Sequence, residues 1–259
     1  KKFATREGQE LNEGKIYAIL GSGAIGALAY TFSDSFWFSA VEGEVYAMSS
    51  FFTAIVVWAI FKWDEEQGIV DAGGDNNGHN PDRWIIFSMF MVGLSIGVHL
   101  LNLLAIPAMG YVYYFRKYKV HNLKGFILTG IVSVGILGII QAIIIPGMFS
   151  FPAMMERTFV NSFGMPFNVG TYFFFLLLIT FVVWGIRYSH RNGKKLLNLA
   201  MMSFTVLSIG YSCFGMIIIR SAENTPIDEN NPENFVNLIS YLKREQYGSW
   251  PISYGPYWN

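Results

Sequence analysis

Long apolar runs separated by short polar stretches dominate the chain. A helix needs roughly 20 mostly apolar residues to cross a hydrocarbon core about 30 Å thick, because each helical residue rises about 1.5 Å. Runs of suitable length, bounded by charged residues, lie at about 16–33, 45–62, 84–115, 125–146, 168–187 and 196–219. The pattern therefore predicts an all-α integral membrane protein.

The run at 84–115 is too long for one ordinary span and contains Gly93, Gly97 and Pro107. It is either one long kinked helix or a hairpin of two short helices. Lys and Arg prefer the cytoplasmic side of a membrane, which distinguishes the two. The hairpin places 14 of the 18 Lys and Arg residues on the N-terminal side, whereas a single helix places only 10 there. We therefore expect about seven transmembrane helices, with the N-terminus inside and the C-terminus outside.

This topology divides the chain into a cytoplasmic segment at 1–15, a transmembrane bundle at 16–219 and an external tail at 220–259. The tail includes a predicted short amphipathic helix at 231–244, with Pro232 near its start. The Gly- and Asn-rich stretch at 63–83 is typical of a flexible connector inside. The segments expected to face outward are 34–44, the turn at 99–102, 147–167 and the tail.

Composition supports a membrane protein and argues against other classes. The chain is 53% hydrophobic and 14% charged, outside the usual range of soluble domains. Eighteen basic and eighteen acidic residues balance without a basic stripe, so we expect no nucleic-acid partner. Cys213 is the single cysteine, which leaves no disulfide framework and no Cys/His zinc spacing.

Glycine motifs in this chain favour helix packing over cofactor binding. Gly21-Ser-Gly-Ala-Ile-Gly26 has the letters of a dinucleotide fingerprint, but that motif works only between a strand and a helix. Small residues that let helices approach closely in lipid explain it better. The same interpretation applies to Gly93 and Gly97.

The segment 32–46 contains three carboxylates among aromatic residues: Asp34, Glu42 and Glu44, with no basic residue nearby. Carboxylates in a partly desolvated corner are costly unless they bind something. They could hold a divalent cation, orient the hydroxyls of a sugar or act as a general base. Solvated loop residues beside an interfacial aromatic belt explain them equally well.

Two further places combine polar residues with a membrane setting. His99 and Asn102 lie three residues apart in the longest apolar run, on one face if the helix continues, where a polar pair usually faces the bundle interior or a cavity. A helix-to-helix hydrogen bond or a turn contact is the alternative. Arg244 in the tail can pair with a phosphate, or the tail helix can serve as an interfacial anchor. His79, His121 and His190 are most simply solvated.

Three phrases carry a family resemblance: SDSFWFSAVEGEVYA at 33–47, GLSIGVHLLNLLAIP at 93–107 and REQYGSWPISYGPYWN at 244–259. Over residues 10 to 259 the chain resembles the protein O-mannosyltransferase-like family of multi-span membrane proteins, grouped with the GT-C glycosyltransferases. The resemblance implies a GT-C-like bundle and a transferase that moves a sugar, mannose in this family, from a polyprenyl-phosphate donor to an acceptor protein or glycan outside. A bacterial inner membrane, with the active face toward the periplasm, is the implied location.

The family's acidic Asp-Cys-Gly-Glu-like phrase, which supplies its base, is not found in this chain. We therefore expect an internal fragment that lacks the main catalytic residue and ends in a truncated outer domain. A non-catalytic membrane scaffold or lipid-binding subunit is the alternative function. A transporter ranks last, because ionisable residues near the middle of the helices are few.

The resemblance also assigns roles to matching positions. Glu44 and Glu42 are the expected catalytic carboxylates, with a divalent metal ion as an open option. The expected substrate-binding residues are Asp34, Tyr46, His99, Asn102, Arg244, Glu245 and Tyr247.

Overall fold

The computed structural model describes residues 12–76, 78–118, 121–243 and Gly248, and every regular element within these ranges is helical. This confirms the predicted all-α class. The α-helices are α1 (Glu13–Thr31), α2 (Asp34–Val41), α3 (Val45–Asp71), α4 (Arg83–Ile96), α5 (Ala105–Lys117), α6 (Leu123–Ile139), α7 (Ile145–Phe163), α8 (Val169–Arg191), α9 (Lys195–Tyr211), α10 (Met216–Ser221) and α11 (Phe235–Leu242).

Short irregular helices join several of these elements. A 3-10 turn at Leu100–Leu104 precedes α5, and another at Ser212–Gly215 joins α9 to α10. A π-helical segment at Ile140–Ile144 lies between α6 and α7, so that Leu123–Phe163 is a single helical stretch.

Four of the described helical stretches are long and apolar enough to cross a membrane: Val45–Asp71, Leu123–Phe163, Val169–Arg191 and Lys195–Ser221. The pair α1 and α2, bent by 59°, makes a fifth if it counts as one broken span. The predicted number of seven is thus not confirmed, and the orientation of the termini stays a prediction.

The segment 84–115 folds back on itself, as the distribution of Lys and Arg predicts. The indole N–H of Trp63, in α3, donates to Asp82 at 3.1 Å, just before α4. The same indole stacks on Tyr113, near the end of α5, with ring centroids 5.3 Å apart. Because one residue of α3 contacts both ends of the segment, the two ends lie near the same point of α3. The segment is therefore a hairpin and not one long kinked helix.

The first arm of this hairpin is short. Helix α4 has 14 residues, which gives a length of about 21 Å at about 1.5 Å per residue. That is less than the roughly 30 Å of a hydrocarbon core. The arm is apolar but falls short of an ordinary span, which is why the structure supports fewer spans than the sequence predicts.

Helices α4 and α9 pack closely through glycines. A Cβ added at Gly93 would overlap the backbone of Leu207, and one added at Gly210 would lie 2.6 Å from the carbonyl oxygen of Phe90. This confirms the packing role predicted for Gly93. By contrast, nothing lies within 4 Å of a Cβ added at Gly21 or Gly26, so no described residue occupies those small positions.

Several predicted loops are helical in the structure. Helix α2 occupies most of the outward segment predicted at 34–44, α7 occupies most of 147–167, and α3 continues through the first part of the connector at 63–83. Helix α7 buries Phe149, Ala153 and Glu156, spaced by three or four residues. Such spacing forms one buried helix face.

The described residues divide into two compact units, with the boundary between Phe51 and Phe52 in α3. The first unit contains α1, α2 and the start of α3. The second has a hydrophobic core that draws on Val56 and Trp63 of α3, Val92 of α4 and Leu207 of α9.

Candidate functional site

In the first unit, a sharp bend brings aromatic and hydroxyl side chains together. The Ser33 hydroxyl donates to the carbonyl oxygen of Tyr30 at 2.8 Å, and the backbone N–H of Trp37 donates to the carbonyl oxygen of Ser33 at 2.9 Å. The rings of Tyr30 and Phe36 lie 4.5 Å apart across the bend. These contacts hold α2 against the end of α1.

The three carboxylates predicted from the sequence lie at the two ends of α2. Asp34 is in its first turn, where the helix dipole favours a negative charge. Glu42 and Glu44 flank Gly43, whose φ of +70° is in the left-handed region, between the end of α2 and the start of α3. All three side chains are exposed, and they make no hydrogen bond or ion pair with any described residue. We call these three residues the acidic corner.

The acidic corner does not form a metal site by itself. Among the described residues, no group of three or more His, Cys, Asp or Glu side chains is arranged to hold a metal ion. The geometry therefore gives no support to the divalent cation that the sequence left open at this position.

A pocket of about 220 Å³ lined by aromatic and serine side chains lies in the same unit, and we call it the serine pocket. Tyr46, a predicted substrate-binding residue, contributes to its wall. The other lining residues are Tyr30, Ser33, Ser35, Phe36, Ser39 and Ser50. The sequence analysis did not identify these serines, although Ser35 and Ser39 are four residues apart and therefore on one face of α2.

Two hydroxyls of the serine pocket, those of Ser33 and Ser39, have their protons engaged within the chain. Ser33 donates its proton to the carbonyl oxygen of Tyr30, and Ser39 donates to that of Ser35 at 2.9 Å. A hydroxyl whose proton is engaged still has oxygen lone pairs that can accept. Hydroxyl acceptors beside aromatic rings are suited to a polyhydroxylated ligand, because each sugar hydroxyl can donate one hydrogen bond.

His99 and Asn102 lie at the tip of the hairpin, in the second unit, and not on one continuous helix face as predicted. Helix α4 ends at Ile96, and His99 has an extended backbone with φ −160° and ψ 138°. The ring Nδ1 of His99 accepts from the backbone N–H of Leu101 at 3.1 Å. The extended residue breaks the helical register that the three-residue spacing assumes.

Asn102 is buried, with 1% of its surface exposed. Its amide N–H donates to the hydroxyl oxygen of Ser95 at 2.9 Å, and that hydroxyl donates to the carbonyl oxygen of Val92 at 2.7 Å. The amide oxygen of Asn102 has no partner among the described residues. These bonds tie the turn to α4, which is the turn contact that the sequence analysis gave as an alternative.

Within the range 231–244, where the sequence predicts a short amphipathic helix, the structure has helix α11 at Phe235–Leu242. The side chain of Asn234 caps it by accepting from the backbone N–H of Asn237 at 3.0 Å. Leu238 is fully buried, and the ring of Phe235 stacks 6.0 Å from that of Phe149. Helix α11 therefore packs on α7. Arg244, Glu245 and Tyr247 lie outside the described residues.

Glu156 is a buried carboxylate that the sequence analysis did not single out. It is 2% exposed, and it accepts from the backbone N–H of Asn168 and from both the N–H and the hydroxyl of Thr171, at 2.9 and 3.1 Å. These donors are at the N-terminus of α8, whose dipole favours an anion. Glu156 thus stabilises the fold. In the sequence, the one signal that could have identified it is an acidic residue within an apolar helix.

A second cluster of charges lies at the base of the hairpin. Arg116 of α5 pairs with Asp64, and Glu66 accepts from Arg83 and from the Trp84 indole, each at 2.8 Å. We call Asp64, Glu66, Asp82, Arg83 and Arg116 the charged layer. It joins α3 to both arms of the hairpin.

The comparisons with known proteins give one family. The family described as "Protein O-mannosyl-transferase TMEM260 N-terminal domain" matches residues 1–122. This range includes the acidic corner, the serine pocket and the hairpin. No curated protein and no solved structure gives a significant match. Over residues 1–122, the match confirms the predicted resemblance of this chain to the protein O-mannosyltransferase-like family.

Proposed function

We propose that this chain is part of a membrane glycosyltransferase that moves a sugar, mannose, from a polyprenyl-phosphate donor to an acceptor protein on the outer face of the membrane. The family match over residues 1–122 carries this proposal, because it implies a transferase of the protein O-mannosyltransferase type. The periplasmic face of a bacterial inner membrane is the proposed location.

The acidic corner is the proposed place of the chemistry. Glycosyl transfer needs a carboxylate that deprotonates the acceptor hydroxyl, and such a base contributes about 10²- to 10⁴-fold to a rate. Glu44, with Glu42 as the second candidate, is exposed and makes no bond to a described residue, so its oxygens are accessible to an acceptor. Asp34 would orient the substrate from the opposite end of α2.

The serine pocket is the proposed site for the sugar. Its volume of about 220 Å³ and its hydroxyl acceptors are suited to one monosaccharide unit. Tyr46 lines this pocket two residues after Glu44, which places the proposed base next to the proposed sugar site. His99, Asn102 and the tail residues Arg244, Glu245 and Tyr247 remain proposed substrate contacts.

The test is a transfer assay with the full chain in nanodiscs, polyprenyl-phosphate mannose as donor and a Ser/Thr-rich peptide as acceptor. We expect Glu44→Gln to reduce transfer by about 100-fold, because the amide cannot accept the acceptor's proton. Glu13→Gln is the matched control, since Glu13 is an exposed carboxylate of the same unit at the far end of α1. Equal activity of the two variants would refute the assignment of Glu44.

A complete absence of transfer by the unsubstituted chain would favour the scaffold or lipid-binding alternative. In that case, binding of the donor lipid without turnover would separate a lipid-binding subunit from a scaffold.

A further inference from the structure

Cationic side chains are concentrated where α8 turns into α9. We call Arg187, Arg191, Lys194 and Lys195 the basic turn. All four side chains are exposed, and none of them forms an ion pair with a described residue. Arg187 and Arg191 are four residues apart, which places them on one face of α8. The basic turn belongs to the second unit, and the proposed transfer of a sugar does not require it.

No carboxylate in this part of the sequence balances the charges of the basic turn. The chain has no Asp or Glu between Glu156 and Glu223. Helix α9 has no acidic residue in its first turn and no side-chain cap, because Lys194 is its N-cap residue. The dipole of a helix disfavours a cation at its N-terminus and favours an anion there. The start of α9, with Lys194 and Lys195, is therefore suited to an anion from outside the chain.

Hydrogen bonds fix the backbone of the basic turn. Gly193 has a φ of +62°, and the backbone N–H of Lys194 donates to the carbonyl oxygen of Ser189 at 2.9 Å. The amide N–H of Asn198, in α9, donates to the hydroxyl oxygen of Ser189 at 2.9 Å and so ties α9 to α8. Because the turn is already ordered, its cations bind a shared anion at a lower cost in conformational entropy.

Aromatic rings indicate the depth of the basic turn in the membrane. Helix α8 and the stretch Lys195–Ser221 are both candidate spans, so the turn between them lies at a membrane surface. Trp184 stacks on Tyr188 with ring centroids 5.4 Å apart, and Nζ of Lys194 donates to the Tyr188 hydroxyl oxygen at 2.9 Å. Trp and Tyr prefer the level of the lipid headgroups. Arg191 follows Tyr188 by three residues, about 4.5 Å along the helix, which is the level of the phosphates.

We propose that the basic turn binds the phosphate of an anionic glycerophospholipid in the leaflet that it faces. Arg187 and Arg191 can each donate two parallel hydrogen bonds to phosphate oxygens, and Lys195 adds a point charge at the start of α9. Clusters of Lys and Arg beside a membrane span attract anionic lipids. The acyl chains of a lipid hold its phosphate at the depth of these cations, which a phosphate ion in water lacks.

The test is native mass spectrometry of the full chain released from nanodiscs that contain phosphatidylglycerol and phosphatidylcholine in equal amounts. Both lipids have a phosphate, but only phosphatidylglycerol has a net negative charge. We expect the unsubstituted chain to retain about tenfold more phosphatidylglycerol, and Arg187→Gln with Arg191→Gln to lower that ratio about fivefold. Arg157→Gln with Arg220→Gln makes the same change at exposed arginines of α7 and α10 and should leave the ratio unchanged.

A second pair of variants tests the start of α9. Lys195→Gln removes one charge and should lower the ratio about threefold. Lys243→Gln is the matched control, because Lys243 is an exposed lysine just after α11, and it should have no effect. Added salt should lower the ratio of the unsubstituted chain, since salt screens exposed charges. Circular dichroism and a single elution peak would establish that each variant is folded.

Two results would overturn the proposal. The first is the same lipid ratio for the basic-turn variants and their controls. The second is release of the retained phosphatidylglycerol by inorganic phosphate, which would show that the turn binds a free phosphate ion in place of a lipid.

Discussion

The acidic corner and the charged layer contain the same kind of residue in opposite situations. In the charged layer, the Asp64 and Glu66 carboxylates are bonded to arginines of both hairpin arms. In the acidic corner, Glu42 and Glu44 are exposed on either side of a left-handed glycine and make no bond to a described residue. The Asp64 and Glu66 carboxylates therefore join helices, whereas the Glu42 and Glu44 carboxylates make no bond that holds the described helices together.

This difference separates carboxylates that are bonded within the fold from those to which the proposed function assigns the chemistry. A carboxylate with several donors stabilises the fold, and its loss leaves those donors unsatisfied. An exposed carboxylate without such partners is solvated, and its substitution leaves no donor unsatisfied. Substitutions at these positions test this distinction through the free energy of unfolding, and the expected loss decreases from Glu156 to the acidic corner.

Glu156→Ala should produce the largest loss, about 3 kcal/mol in the free energy of unfolding. It removes a buried carboxylate that accepts from Asn168 and Thr171, and it leaves the N-terminus of α8 with buried donors that have no acceptor. Thermal unfolding in detergent would measure the effect. Glu223→Ala, at an exposed glutamate, is the control, and similar midpoints for the two variants would contradict the role of Glu156.

Glu66→Ala should cost about 2 kcal/mol, because Arg83 and the Trp84 indole both lose an acceptor at 2.8 Å. Its neighbour Glu65 provides a control, since Glu65 pairs with Lys62 and both side chains are more than 40% exposed. An exposed pair of this kind contributes about 0–1 kcal/mol. The same thermal assay should therefore show a clear shift for Glu66→Ala and little for Glu65→Ala.

Gly43→Ala should cost about 1 kcal/mol, because its φ of +70° is strained for a residue with a Cβ. Gly135→Ala makes the same change inside α6, where nothing lies within 4 Å of the new methyl group, and should not destabilise the protein. If Gly43→Ala leaves both stability and transfer unchanged, the turn between Glu42 and Glu44 does not need its observed geometry.

The double variant Glu42→Gln, Glu44→Gln should have the smallest effect on stability, below about 0.5 kcal/mol, as for other exposed substitutions. Its transfer activity should nevertheless fall at least as far as that of Glu44→Gln alone. A marked drop in thermal midpoint would instead assign these carboxylates a structural role, and the contrast with the charged layer would disappear.

Part of this architecture could be predicted from the sequence because it depends on local patterns. Apolar length predicts membrane helices, and the distribution of Lys and Arg predicts that 84–115 returns to its starting side. Trp63 confirms that return by contacting Asp82 and Tyr113. The family resemblance rests on continuous phrases, which is why it could be identified without a structure.

Other predictions failed where local patterns are ambiguous. Segments 34–44 and 147–167 lie between the predicted spans and look like loops, but α2 and α7 occupy most of them. In α7, Phe149, Ala153 and Glu156 bury one helix face. The three-residue spacing of His99 and Asn102 assumes a helix that ends at Ile96.

The sequence by itself determined the all-α class, the apolar helices of a membrane protein, the return of segment 84–115 and the resemblance to one family over residues 1–122. The tertiary structure alone decided which acidic residues are bonded and which are exposed, and it brought Tyr30, Ser39 and Ser50 together in the serine pocket. The reason is physical. Hydropathy and charge are properties of single residues along a chain, whereas burial and hydrogen bonding depend on residues that meet only after the chain has folded.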